Sequence, residues 1–118
     1  MPLLNNFGAV FTFAIQLEDT LHDYYQTLDD SGAAQAAKKR IDKLERARRE
    51  YVVEITLEPI EDLDSDDYVL DTSDTTEAGR ATIEDTMQRF YKDAAPKMNV
   101  RQAQRILEKC GKQFERTS

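Results

Sequence analysis

Glu18 is a carboxylate where the surrounding sequence calls for an apolar side chain. Leu4, Phe7, Phe11, Ala14, Leu21, Tyr25 and Leu28 recur at steps of three and four, the spacing that keeps side chains on one face of a helix. Between Ala14 and Leu21 that face carries Glu18. An ionised carboxylate in a core costs several kcal/mol if unpaired, about the effective penalty for desolvating an ion. A cation, a shared proton or a metal ion therefore has to meet it, and each implies a different protein. His22 follows four residues later on the same side of the helix, and residues at that spacing can chelate a metal together. A lone helical histidine is also commonly a satisfied or half-exposed side chain.

A purely internal solution is available as well. In residues 33–58 the apolar positions Ala34, Ala37, Ile41, Leu44, Ala47, Tyr51, Ile55 and Leu57 define a second helical face, and extrapolating it places Arg48 at a core position. A guanidinium there can bind a carboxylate through two parallel hydrogen bonds. Cys110 falls on an apolar seam, as an inert buried thiol would. Tyr24, Tyr25, Tyr51 and Tyr91 suit either a redox site or the cap of a bundle core. Asp62, Asp64, Asp66 and Asp67 form an acidic run without the sixth-position Gly and twelfth-position Glu of a calcium loop. Such a run can instead lie against the basic outer surface of helix two: Lys38, Lys39, Arg40, Lys43, Arg46, Arg48 and Arg49.

These residues must be positioned by helices. The first spans about 3–28 and ends at the breaker cluster Asp29-Asp30-Ser31-Gly32; the second spans about 33–58 and stops at Pro59. Asp74-Thr75-Thr76-Glu77 and Asn99-Val100-Arg101-Gln102 have capping-box spacing, which predicts helices over about 75–95 and 99–116. The turn at 29–32 is short, so the first two helices form an antiparallel hairpin. Residues 60–74 are long enough to cross the side of a bundle. The expectation is one all-α domain over 1–118: two helical hairpins joined by a long crossover, an antiparallel four-helix bundle.

Composition narrows the function. The 118 residues carry a formal net charge of −7, with 40% hydrophobic and 33% charged residues, four Gly and three Pro. An acidic chain lacks the basic footprint of a nucleic-acid or anionic-membrane surface. One cysteine leaves no internal disulfide framework and no thiolate metal cluster. The apolar start MPLLNNFGAVFTFAI has neither a basic leader nor a small-residue cleavage signature, and polar residues interrupt it, so a cytoplasmic location is expected. Phe13 lies off the first helix's seam, where it would either cover a partner, as in a homo-oligomer, or be buried by the crossover or an N-terminal cap.

The stretch from Glu18 to Tyr24-Tyr25 and the run Ile83-Glu84-Asp85-Thr86-Met87-Gln88-Arg89-Phe90-Tyr91, followed by Asp93-Ala94-Ala95, resemble the ferritin-like, rubrerythrin-type di-iron carboxylate proteins. Helix three is similar to that family's Glu-x5-Phe-Tyr-x-x-Ala-Ala pattern. The resemblance implies a ferritin-like fold and, on each of two helices, a Glu-x-x-His pair beside single glutamates on the others. Here the pattern breaks. Helix two offers Glu50, but Val53 stands where a histidine belongs and Glu54 lies one residue further on; helix four offers no pair at all. Two expectations follow. One is a degenerate ferritin-like bundle without a di-iron centre, its acids forming a core salt-bridge cluster with Arg48, that acts as a non-catalytic self-associating or partner-binding protein. The other is a reduced carboxylate site of Glu18, Glu50, Glu54 and Glu84, with His22, that binds iron or manganese in an oxidoreductase or iron-handling role. In a variant of it, two subunits each supply half a site.

Overall fold

A computed structural model describes residues 7–51, 63–98 and 101–114. Over them the chain forms four α-helices: α1 (Phe7–Thr27), α2 (Ser31–Tyr51), α3 (Glu77–Ala94) and α4 (Arg101–Lys112). Short 3-10 turns follow at Ser65–Tyr68 and Ala95–Lys97. The expected helical residues 3–6, 52–58, 99, 100, 115 and 116, the first part of the crossover and Glu54 lie outside the described residues. No described helix is long and apolar enough to cross a membrane.

Local chemistry sets the helix ends. The Asp30 amide donates to the Tyr25 carbonyl (3.0 Å) and the Asp29 amide to that of Gln26 (3.1 Å), the paired bonds of a Schellman stop. Asp29 takes the left-handed position with φ of 58°, where glycine is the relaxed residue. Asp30 then caps α2, its Oδ1 accepting from the Ala33 amide at 3.0 Å. At α3 the cap is Thr76, whose hydroxyl accepts from Gly79 N at 3.1 Å. The sequence placed it two residues earlier, at Asp74. Asp74 instead accepts from the Thr76 amide (3.1 Å) and hydroxyl (2.6 Å), folding the chain so tightly that a Cβ on Gly79 would lie 2.5 Å from the Asp74 carbonyl oxygen.

Contacts between helices fix their directions. On α1, Phe13 meets Phe90 at 5.4 Å, Tyr25 reaches Glu84, and Tyr24 donates to the Asp74 carbonyl at 2.7 Å. Rising numbers on α1 meet falling numbers on α3, so the two run antiparallel. The starts of α2 and α3 are tied by Arg80 to Asp30 at 2.9 Å. The core gathers Val10, Phe11, Ala14, Leu21, Leu44, Met87, Phe90, Tyr91 and Leu107, all fully buried. Each such Leu or Phe contributes roughly 1.5–3 kcal/mol relative to exposure.

The described part of the crossover is anchored on α1 and α3. It was expected on the basic face of α2. Tyr68 is buried with its ring 5.2 Å from Phe90 and 6.5 Å from Phe13, and its hydroxyl donates to Asp93 at 2.7 Å. Arg89 donates to the Asp67 carbonyl and lies over the Tyr68 ring. Burying an aromatic ring outweighs exposed charge pairs, which water and salt weaken. The same contacts cover Phe13. Leu63 is buried as well, whereas Val69 is 73% exposed.

Two substitutions should move stability in opposite directions from what side-chain size and helix propensity suggest. Asp29→Gly relieves the left-handed strain and should raise the melting temperature by about 4 °C, equivalent to roughly 1 kcal/mol. Gly79→Ala should lower it although alanine is the better helix former, because the new methyl group collides with the Asp74 backbone. Thermal unfolding followed by circular dichroism measures both.

Candidate functional site

Glu18 is fully buried, as its place on the α1 seam demands. The cation that meets it is Arg40 of α2, whose Nε donates to Glu18 Oε2 at 2.8 Å. The sequence reading placed Arg48 there. Arg48 is half-buried and donates to Thr12 Oγ1 at 3.3 Å. The buried stripe of α2 is Ala34, Ala37, Arg40, Leu44 and Ala47, with Ile41 at its edge. Ala34, Ala37, Leu44 and Ala47 are buried as expected, but extrapolating that face from Ile41 led to Arg48, whereas the buried cation one residue before Ile41 is Arg40. An arginine stem is aliphatic and packs in a core when its head group is paired, and Arg40 is only 3% exposed.

The other helices complete the cluster. Tyr91 of α3 donates its hydroxyl to the same Glu18 Oε2 at 2.5 Å. Arg40 Nη1 donates to Gln113 Oε1 at 2.8 Å, and its guanidinium lies 4.4 Å from the centre of the Phe114 ring, just beyond α4. Gly111 lets α4 approach closely, since a Cβ there would lie 2.9 Å from that of Tyr91. Among the described residues Glu18 Oε1 has no hydrogen-bond partner.

Electrostatics follow from burial. Loss of water pushes the Glu18 carboxyl above its ordinary value, opposed by Arg40 and by the hydrogen bonds from Arg40 and Tyr91. Burial, reinforced by Glu18, holds the Tyr91 hydroxyl well above its usual range. The same two causes push the Cys110 thiol up to about 12, so it stays protonated near neutrality and is a poor nucleophile.

A second carboxylate has a similar environment closer to the surface. Tyr25 donates to Glu84 Oε2 at 2.5 Å, and Arg80 Nε reaches the same oxygen at 3.3 Å. Arg80 also bridges to Asp30 and covers the Tyr25 ring at 4.9 Å. Glu84 Oε2 thus meets a tyrosine of α1 and an arginine of α3.

Of the remaining candidates, His22 and Glu50 are described. His22 is half-buried with Nδ1 3.3 Å from its neighbour Asp23. Glu50 is exposed near the end of α2. Among the described residues no three of His, Cys, Asp and Glu come together as metal ligands. Among the described residues the donor set does not fit a pair of metal ions: Glu18 Oε2 already takes a guanidinium, and imidazole is not among its partners. The sequence reading missed the roles of Arg40, Tyr91 and Gln113. One available signal was that Leu17–Tyr25 and Ile83–Tyr91 each place a Tyr seven residues after a Glu.

The described residues therefore define an all-helical protein with a buried acid–guanidinium–phenol cluster. No protein-family model, curated protein or solved structure matches the chain.

Breaking the buried pair from one side should cost far more than removing it whole. Arg40→Met leaves a buried carboxylate without its cation and should destabilise the protein by about 3–5 kcal/mol; adding Glu18→Leu should recover most of that in urea unfolding. The pH dependence has a definite sign. Because the folded Glu18 carboxyl titrates above its ordinary 4.5, its favourable contribution is complete below that pH and is lost as pH rises through the folded value. Stability measured against Glu18→Gln should fall across that window.

Proposed function

We propose that this chain is a degenerate ferritin-like bundle in which an internal guanidinium takes the charge-balancing place of a di-iron centre, and that it acts by binding other proteins, itself included, rather than by catalysis. Arg40 at 2.8 Å from the buried Glu18 carries the reading: it is a fixed cation where the family chemistry needs an exchangeable one. The return crossover and the antiparallel α1–α3 contact support the ferritin-like topology. Two surfaces are open for binding. The outward face of α2 exposes Lys38, Lys39, Lys43, Arg46 and Arg49. A groove of about 550 Å³ between α3 and α4 is lined by Lys92, Pro96, Glu108 and Lys112, among others.

One observation favours the alternative, an iron- or manganese-binding oxidoreductase using Glu18 and Glu84. The buried Glu18 Oε1 is without a hydrogen-bond partner among the described residues, and a cation or water would satisfy it. Any such metal would have to displace Arg40 or share its carboxylate.

Metal analysis of protein expressed with added iron and manganese, together with mass by light scattering, separates the two. The expected result is far less than one metal per chain and a mass above that of one chain. Stoichiometric, tightly held metal that is lost on Glu18→Ala would establish the alternative.

A further inference from the structure

Helix α2 carries seven Lys and Arg against three acids, in a chain whose net charge is −7. Arg40 is buried in the core and Arg48 is half-buried beside Thr12, but Lys38, Lys39, Lys43, Arg46 and Arg49 stand exposed. Lys39, Lys43 and Arg46 follow at steps of four and three, which sets them in one row along the outside of the helix. Among the described residues none of the five exposed cations has a carboxylate within ion-pair distance. Like charges one turn apart repel, and the exposed Asp42 and Glu50 offset this only in part. An acidic surface laid along the row would relieve it.

The chain carries such a surface, and within one chain the two do not pair. Tyr68 seats the acidic stretch against Phe13 and Phe90, and Arg89 holds the Asp67 carbonyl, so it lies on α1 and α3. The backbone is extended at Val69, with φ of −74° and ψ of 132°, and extended backbone sends successive side chains to opposite sides. Tyr68 therefore goes in and Val69 comes out, with Asp66, Asp67 and Asp71 exposed around it. Among the described residues no other large hydrophobic side chain is exposed. A lone surface valine is ordinary. One set in a run of acids, on a chain whose basic row lacks counter-charges, has the plan of an interface: an apolar centre within a charged rim that selects the partner. On α2 the aliphatic stems of Lys39, Lys43 and Arg46 offer Val69 an apolar bed.

We infer that the basic face of α2 docks on the acidic segment 66–71 of a second copy of this chain, with Val69 at the centre of the contact. The inference rests on the binding role proposed above and gives it a partner and a surface. Both halves of the contact are present on every copy. Two copies that exchange it close a two-fold dimer, and copies that share one contact at a time add head to tail.

Charge swapping in the full chain tests the contact. One variant carries Lys39→Glu, Lys43→Glu and Arg46→Glu; the other carries Asp66→Lys, Asp67→Lys and Asp71→Lys. All six positions are exposed, so circular dichroism should show unchanged helix content. In sedimentation experiments the unaltered chain should associate, and its association should weaken by about tenfold or more between roughly 0.1 M and 1 M salt, as the Debye length falls from about 10 Å to about 3 Å. Each reversed variant alone should run as a single chain, whereas an equimolar mixture of the two should regain the associated mass. Val69→Ser should weaken association of the otherwise unaltered chain by about tenfold. The milder variant Lys39→Gln, Lys43→Gln, Arg46→Gln should also weaken it, and serves if a reversal disturbs the helix. Association that ignores the reversals or the milder variant would overturn this contact while leaving self-association in place. A mixture that stays as two single chains would also overturn it. An unaltered chain that never associates would sink it too, without touching binding to other proteins.

Discussion

A single buried charge pair ties the bundle together. Glu18 on α1 receives Arg40 from α2 and Tyr91 from α3, and Arg40 in turn donates to Gln113 at the end of α4. A buried ion pair adds little net stability against well-packed apolar residues, because desolvating both ions offsets most of their attraction. What it adds is exclusivity. Any packing that separates the two leaves a charge in a dry core, so alternative registers of α1 against α2 carry a penalty that apolar side chains alone would not impose.

The rest of the architecture is arranged so that this pair can form. The Schellman stop at Asp29 and the Asp30 cap turn the chain sharply enough for α2 to lie along α1. Tyr68, packed against Phe13 and Phe90, anchors the stretch before α3, and α3 running antiparallel to α1 delivers Tyr91 to Glu18. Gly111 removes the side chain that would hold α4 away from Tyr91. Each device is local, yet all converge on one layer of the core.

Within that layer the chemistry is quiet. The phenol of Tyr91 and the thiol of Cys110 are both held protonated by burial and by the neighbouring Glu18. The carboxylate is held between a permanent cation and a hydroxyl. Such an arrangement stabilises one conformation. The outer surface exposes lysines and arginines on α2 and carries a mixed polar and apolar groove between α3 and α4.

Much of this was legible in the sequence. Apolar periodicity gave the helices, the breaker cluster at 29–32 gave the hairpin, and the interruption of one seam by Glu18 located the buried acid. Those features are local, and helix geometry converts local spacing directly into facing. The identity of the cation was not local. Arg40 and Arg48 lie on the same helix, and which of them enters the core depends on a rotation of less than a turn, set by how Ala37, Leu44 and Ala47 pack against α1. The seat of the crossover was likewise decided by Tyr68 finding two aromatic rings from distant parts of the chain, against an electrostatic expectation that solvent screening weakens. Sequence determined that a charge would be buried; only the tertiary structure decided what would neutralise it, because that choice rests on contacts between helices rather than on spacing within one.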